Sequence, residues 1–266
     1  MGTITALLSL VEDDDPIIQR EVVSKFKTLG LSGRYLLIDH LNEIKSQETL
    51  QNLEAILDHL LDYYIEEQIE YYKYSNNLLD FFHLISLVFN SYVNKELYEN
   101  FFKETNDICR TLIKESYTVK QRLICISDIL FRTQKFRNIQ FDIQNPMYSL
   151  LDSVISNKKG DTLSLCFIYY EVAKLIGIPL QFVFYTEFCM LKLDAEDTVF
   201  IDVSGNGNLL SADECKLLLE INYINIESEK QLSLDQTLIF YINWIISMLG
   251  NTEERKRLEF VKKQLF

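Results

Sequence analysis

The chain has 266 residues, beyond the roughly 100–200 of a typical domain, so it holds one large domain or two to three closely packed subdomains. Hydrophobic residues make up 48% and aromatics 12%, which supplies a sizeable core and excludes a disordered chain. The formal charge of −13 repels phosphate backbones and anionic lipid, excluding nucleic acid and membrane surfaces as natural partners.

Residues 1–9 lack the positive start of a signal peptide. Asp13, Asp14, Asp15 and Pro16 then predict a helix start, since a carboxylate caps free amides and proline fits the first turn. Gly30 is expected to close that helix. The unit 7–41 resembles one HEAT-type helical repeat.

Between 48 and 132, apolar residues recur at three and four, as in Leu53, Ile56, Leu57, Leu60 and Leu61, and predict four or so helices without a strong strand signal. The run 78–88 is interrupted by Asp80 and His83 and falls short of the ~20 residues a bilayer requires. Tyr63, Tyr64, Tyr71, Tyr72 and Tyr74 read either as amphipathic packing with hydroxyls at the surface or as a stacking and binding face. The second reading predicts an exposed apolar patch there.

After Asn145-Pro146 the pattern changes. Helices are expected over 148–157 and 162–176, the latter ended by Gly177 and Pro179. Three short runs rich in aromatic and branched residues, 181–185, 188–193 and 199–203, predict an antiparallel sheet packed on the 162 helix. Gly205-Asn206-Gly207 marks a turn, and Ser211 with Glu214 forms a capping box for a helix carrying Cys215. Helices at 234–249 and 252–264 close the chain. The fold class is α+β, with a helical region over 1–145, a helix-and-sheet core over 146–225 and a C-terminal helical hairpin over 226–266.

All three histidines, His40, His59 and His83, precede this core. The five cysteines are widely spaced in apolar contexts and read as reduced core residues of a cytoplasmic protein, with no disulfide and no zinc site. Neither a metal nor another cofactor is expected.

A cysteine hydrolase sets its nucleophile at the start of a buried helix, where the amides and the dipole favour a thiolate, and its histidine and acid on adjacent strands. Here Gly160 stands two residues before Thr162, Gly177-Ile178-Pro179 begins fifteen after it, and Asp202 follows on a later strand. That spacing resembles the transglutaminase pattern, with Thr162 in the nucleophile's place.

The flanks extend the likeness. Ser149, Leu151 and Val154, then Gly160, Leu163 and Ser164, then Phe200-Ile201-Asp202, Gly205 to Gly207, Leu209-Leu210-Ser211 and Glu214-Cys215 resemble successive motifs of the SirB family of bacterial transglutaminase-like proteins. Tyr185-Thr186-Glu187-Phe188 stands where that family often has Pro-Gly-His-Phe, so Glu187 occupies the histidine position, and Val203 replaces the proline after Phe-Ile-Asp. The final helices resemble a remnant of the tetratricopeptide helices that end longer relatives. The resemblance implies an inactive relative that uses the vestigial groove to bind an unidentified protein or peptide, with Thr162, Glu187 and Asp202 as vestigial triad positions and Ser164, Cys166 and Phe188 as groove candidates.

Each residue also has a plainer reading. Thr162 is a good N-terminal helix residue, Cys166 and Cys189 fit core packing, Glu187 fits a solvated strand edge, and Asp202 can fix the turn at Gly205 to Gly207. A catalytic alternative pairs the Glu187 and Asp202 carboxylates as acid and base, or around a metal.

Overall fold

The computed structural model describes residues 6–7, 9–13, 15–41, 47–139, 145–186, 188–194 and 198–266. They form two compact units, Met1–Glu96 with Asn251–Phe266, and Leu97–Gly250. These units divide the chain at places other than the boundaries read from sequence character.

In the first unit the Asp15 carboxylate accepts the Ile17 amide at 2.8 Å, and helix α1 (Pro16–Leu41) begins there. Asp14 lies outside the described residues. Gly30 kinks this helix, with φ 59° and ψ −144°, so the expected stop is a bend that only a residue without Cβ adopts easily. Helices α2 (Gln47–His59), α3 (Leu61–Ser75) and α4 (Leu78–Phe89) follow. The Tyr63 to Tyr74 run divides by helical period: Tyr64 and Tyr72 are buried, and Tyr71 and Tyr74 are exposed. That division is the one amphipathic packing gives.

The interruptions in the apolar run of α4 are both buried. Asp80 pairs with Lys95 at 2.5 Å. His83 is fully buried, and burial, with the charges of Arg34 and Lys95, lowers its pKa to about 3. Arg34 is also fully buried and donates to the Val93 carbonyl at 2.6 Å. Of the other histidines, His59 is exposed and the His40 side chain lies outside the described residues.

The second unit opens with helices α5 (Glu96–Leu112) and α6 (Val119–Ser127), the latter continued by a π-turn over Asp128–Thr133. A strand pair absent from the sequence reading follows: β1 (Arg137–Asn138) runs parallel to β2 (Lys159–Gly160). Between them lie a 3-10 turn, Pro146–Tyr148, and helix α7 (Leu151–Asn157), in place of one helix over 148–157. Helix α8 (Thr162–Leu175) is followed by strands β3 (Gln181–Tyr185), β4 (Phe188–Leu193), β5 (Val199–Asp202) and β6 (Asn208–Leu210), then helix α9 (Ala212–Ile221), strand β7 (Glu229–Leu232) and helix α10 (Leu234–Met248). The last helix, α11 (Glu253–Leu265), belongs to the first unit, where Arg257 meets Asp62 on α3 at 2.7 Å.

The sheet is antiparallel throughout, in the order β6-β5-β4-β3-β7. Strand alternation sends Phe182 toward α8, where its ring meets Phe167 at 4.9 Å. The other face carries Val183, Tyr185, Met190 and Phe200, packed on Cys215 and Leu219 of α9. The sheet thus lies between α8 and α9, in an α+β fold. All five cysteines are free, and Cys125 alone is not buried. Among the described residues no helix is long and apolar enough to cross a membrane.

Candidate functional site

The start of α8 is held by three neighbours. Gly160 on β2 faces Val154 of α7 so closely that a Cβ would come within 2.7 Å of that side chain; a larger residue would push the helix start away from α7. Asp161 is the N-cap and accepts the Ser164 amide at 2.7 Å. The β1–β2 pairing sets Asn138 opposite Gly160, and the Thr162 hydroxyl donates to the Asn138 side-chain oxygen at 3.3 Å. Thr162 is therefore a first-turn threonine whose hydroxyl bonds an amide side chain.

A partly buried polar network lies around this end of the helix. The second carboxylate oxygen of Asp161 accepts the Ser149 hydroxyl and, at 2.9 Å, the indole N–H of Trp244 on α10. The Ser149 carbonyl accepts the Ser164 hydroxyl at 2.8 Å and the Tyr241 hydroxyl at 2.6 Å. Burial, followed by the neighbouring Asp161 charge, holds the Tyr241 phenol well above its ordinary pKa, so it remains a donor.

Beside the network a partly open cavity of about 660 Å³ lies within the second unit. Asn138, Ile139, Asn145 and Tyr148 line one part of it, Ser149, Asp161, Thr162 and Leu163 another, and Phe184, Thr186, Phe188, Cys189 and Ser204 the sheet side. Phe240, Trp244 and Met248, one stripe of α10 at four-residue spacing, complete the lining. The Phe184 and Phe240 rings lie 4.8 Å apart. Apolar and aromatic walls with a few converging polar groups are the usual make-up of a binding site.

The residues singled out from sequence distribute unevenly. Thr162 and Phe188 line the cavity. Ser164 and Cys166 are fully buried and are not among its lining residues. Burial, followed by contact with Cys189, keeps the Cys166 thiol well above its ordinary pKa, which makes it a core group and a poor nucleophile. Glu187 lies outside the described residues. Its neighbour Thr186 occupies the hairpin turn with φ 52°, a conformation that disfavours a branched side chain.

Asp202 has a different setting. It ends strand β5 and is buried. Its carboxylate accepts the Ser204 hydroxyl at 2.6 Å and the Gly205 amide at 3.0 Å, and its carbonyl accepts the Gly207 amide at 2.8 Å. These are the bonds of a turn-forming aspartate. Among the described residues no group of three or more His, Cys, Asp or Glu gathers in a way that could hold a metal.

Sequence reasoning passed over Asp161, Asn138, Phe240 and Trp244. Asp161 carried a signal, an aspartate just before an apolar helix. The other three reach the cavity only through a strand pair and a helix packing that no local pattern announces.

Residues 97–237, more than half of the chain, match the transglutaminase-like superfamily. F-box only protein 21 of mouse is 27% identical over 211 residues, covering 71% of this chain and 33% of that protein. The human protein of the same name is 25% identical over 220 residues, with the same coverage. A UPF0162 protein of Xylella fastidiosa is 23% identical over 125 residues, 47% of this chain and 44% of that protein. The match thus spans about a third of the F-box relatives' length and less than half of the bacterial one. No solved structure gives a significant match.

Proposed function

The chain belongs to the transglutaminase-like superfamily, and on that premise we propose that it is a non-catalytic member, a cytoplasmic binding module that holds a protein or peptide segment in the cavity at the start of α8. One observation supports the reading: a lined, partly open cavity of about 660 Å³ lies at the start of α8, and Thr162, which the motif likeness sets in the nucleophile's place, lines it with its hydroxyl bonded to Asn138 at 3.3 Å. An alkoxide-forming residue needs a base at hydrogen-bond distance, and an asparagine amide is not one.

In the alternative of paired Glu187 and Asp202 carboxylates, Asp202 would act while its Oδ1 also accepts the Ser204 hydroxyl and the Gly205 amide. The motif likeness supports placing the chain within the SirB family, with a HEAT-like start. Carriage of a related segment inside longer F-box proteins is what a binding module would also do.

Two measurements test the reading. Wild-type protein should release no ammonia from glutamine-containing peptides, and it should retain a specific partner in affinity capture that Thr162→Arg, which fills the cavity, no longer retains. An amidase or transfer activity abolished by Thr162→Ala or Glu187→Ala overturns it, as does equal capture by wild type and Thr162→Arg.

A further inference from the structure

The cavity has a charge character that narrows what it can hold. Among its described lining residues Asp161 is the only charged side chain, and none is a lysine or arginine. The three donors that meet the Asp161 carboxylate, the Ser164 amide, the Ser149 hydroxyl and the Trp244 indole, are all neutral. They orient the carboxylate and leave its negative charge uncancelled. Five aromatic side chains share the cavity with it: Tyr148, Phe184, Phe188, Phe240 and Trp244.

A neutral apolar occupant would bury this charge against a non-polar surface, which is costly. An anionic occupant would meet direct repulsion, reinforced by the overall charge of −13. A cation on an apolar stem answers both demands, because aromatic faces attract it through their quadrupoles and the carboxylate pairs with it. Of the two natural cationic side chains, the guanidinium is planar, stacks on rings and is the more weakly hydrated, so it loses less on entering an aromatic cavity. The Asn138 side-chain oxygen, already bonded by Thr162, has a second lone pair to offer a further N–H.

We propose that the cavity recognises an arginine side chain of a partner polypeptide, seated among the aromatic rings with its charge facing Asp161. This rests on the binding-module reading and specifies what that module selects.

The chain carries its own reporter, since Trp244 is its only tryptophan and it lines the cavity. The intact protein is titrated with a capped tryptophan-free tripeptide, Gly-Arg-Gly, and with its citrulline and lysine counterparts, reading Trp244 emission. Citrulline keeps the shape of arginine and removes the charge. The arginine peptide should bind about tenfold more tightly than the citrulline one, an advantage of the size that a cation–π contact and a half-buried ion pair together give. Raising the salt concentration should weaken the arginine peptide alone.

Asp161→Asn, which keeps an N-cap oxygen, should bring arginine and citrulline within about twofold of each other, on the same scale. The citrulline comparison and the salt series use wild-type protein and do not depend on that variant folding. Equal binding of arginine and citrulline, or of arginine and lysine, overturns the arginine assignment and leaves the binding module standing. If no peptide alters Trp244 emission, and a partner captured by wild type is also captured by Thr162→Arg, the module reading itself has failed.

Discussion

Gly205 has no room for a methyl group, because a Cβ there would come within 2.4 Å of an Asp202 carboxylate oxygen and 3.1 Å of the Asn208 amide nitrogen. Residue 202 and the turn after it are therefore one object, and its chemistry can be tested by removing charge and shape separately. Asp202→Asn keeps an oxygen that accepts the Ser204 hydroxyl and the Gly205 amide, so it should cost less than about 1 kcal/mol in urea unfolding. Asp202→Ala, which strands both donors, should cost about 1–3 kcal/mol. Gly205→Ala should cost a similar ~1–3 kcal/mol by crowding. A large loss for Asp202→Asn would mean that the charge itself matters, which a turn former does not require. At this scale the sequence was legible where a residue acts on its own neighbours, as in the turn at Gly205 to Gly207 and the Thr162 helix start. It was silent where a residue acts across the fold, as Asn138 does through a two-residue strand pair.

Helix α9 shows how far one element can be read from its own residues. Ser211 and Glu214 form the capping box in both directions, with the Glu214 carboxylate accepting the Ser211 amide at 2.7 Å. Those bonds favour the ionised form, and the Glu214 pKa lies below the ordinary glutamate value, the backbone bond from Ser211 being the largest cause. A carboxylate with a depressed folded pKa contributes stability above its unfolded value and loses it as pH falls through the lower folded one. An NMR titration should find Glu214 below its model-peptide midpoint, and Ser211→Ala, which removes the hydroxyl but keeps the backbone N–H, should move it only part of the way back up. On the same helix Leu219 is buried and Leu217 is more than half exposed. Leu219→Ala should cost about 2–5 kcal/mol and Leu217→Ala within ~0.5 kcal/mol, compared by chemical denaturation. Strand β7 was not legible, since Glu229, Lys230 and Gln231 are exposed and polar and carry no period-2 pattern. Only pairing with β3 makes that segment a strand, and charged residues are common on such edges.

The two compact units carry separate kinds of chemistry. The first holds the buried Arg34, Asp80 and His83 with the partly buried Lys95, and His83 gives it a pH dependence. With a folded pKa of about 3 and an unfolded one near 6.5, the unfolded chain binds the extra proton between those values. Stability therefore falls as pH drops below ~6.5, with a slope approaching 1.4 kcal/mol per pH unit. Denaturation followed from pH 7 to pH 4 should show this slope, His83→Leu should remove it, and amide exchange should speed up in the first unit. The second unit holds the cavity. The sequence by itself determined the helices, the three central strands, the turn after Asp202 and the absence of a cysteine–histidine pair in the core, because these follow from local period, capping and residue identity. Only the tertiary structure decided that Asp161, Trp244 and the stripe on α10 meet at the start of α8. Register and packing set those contacts between residues far apart in the chain, and no local pattern encodes them.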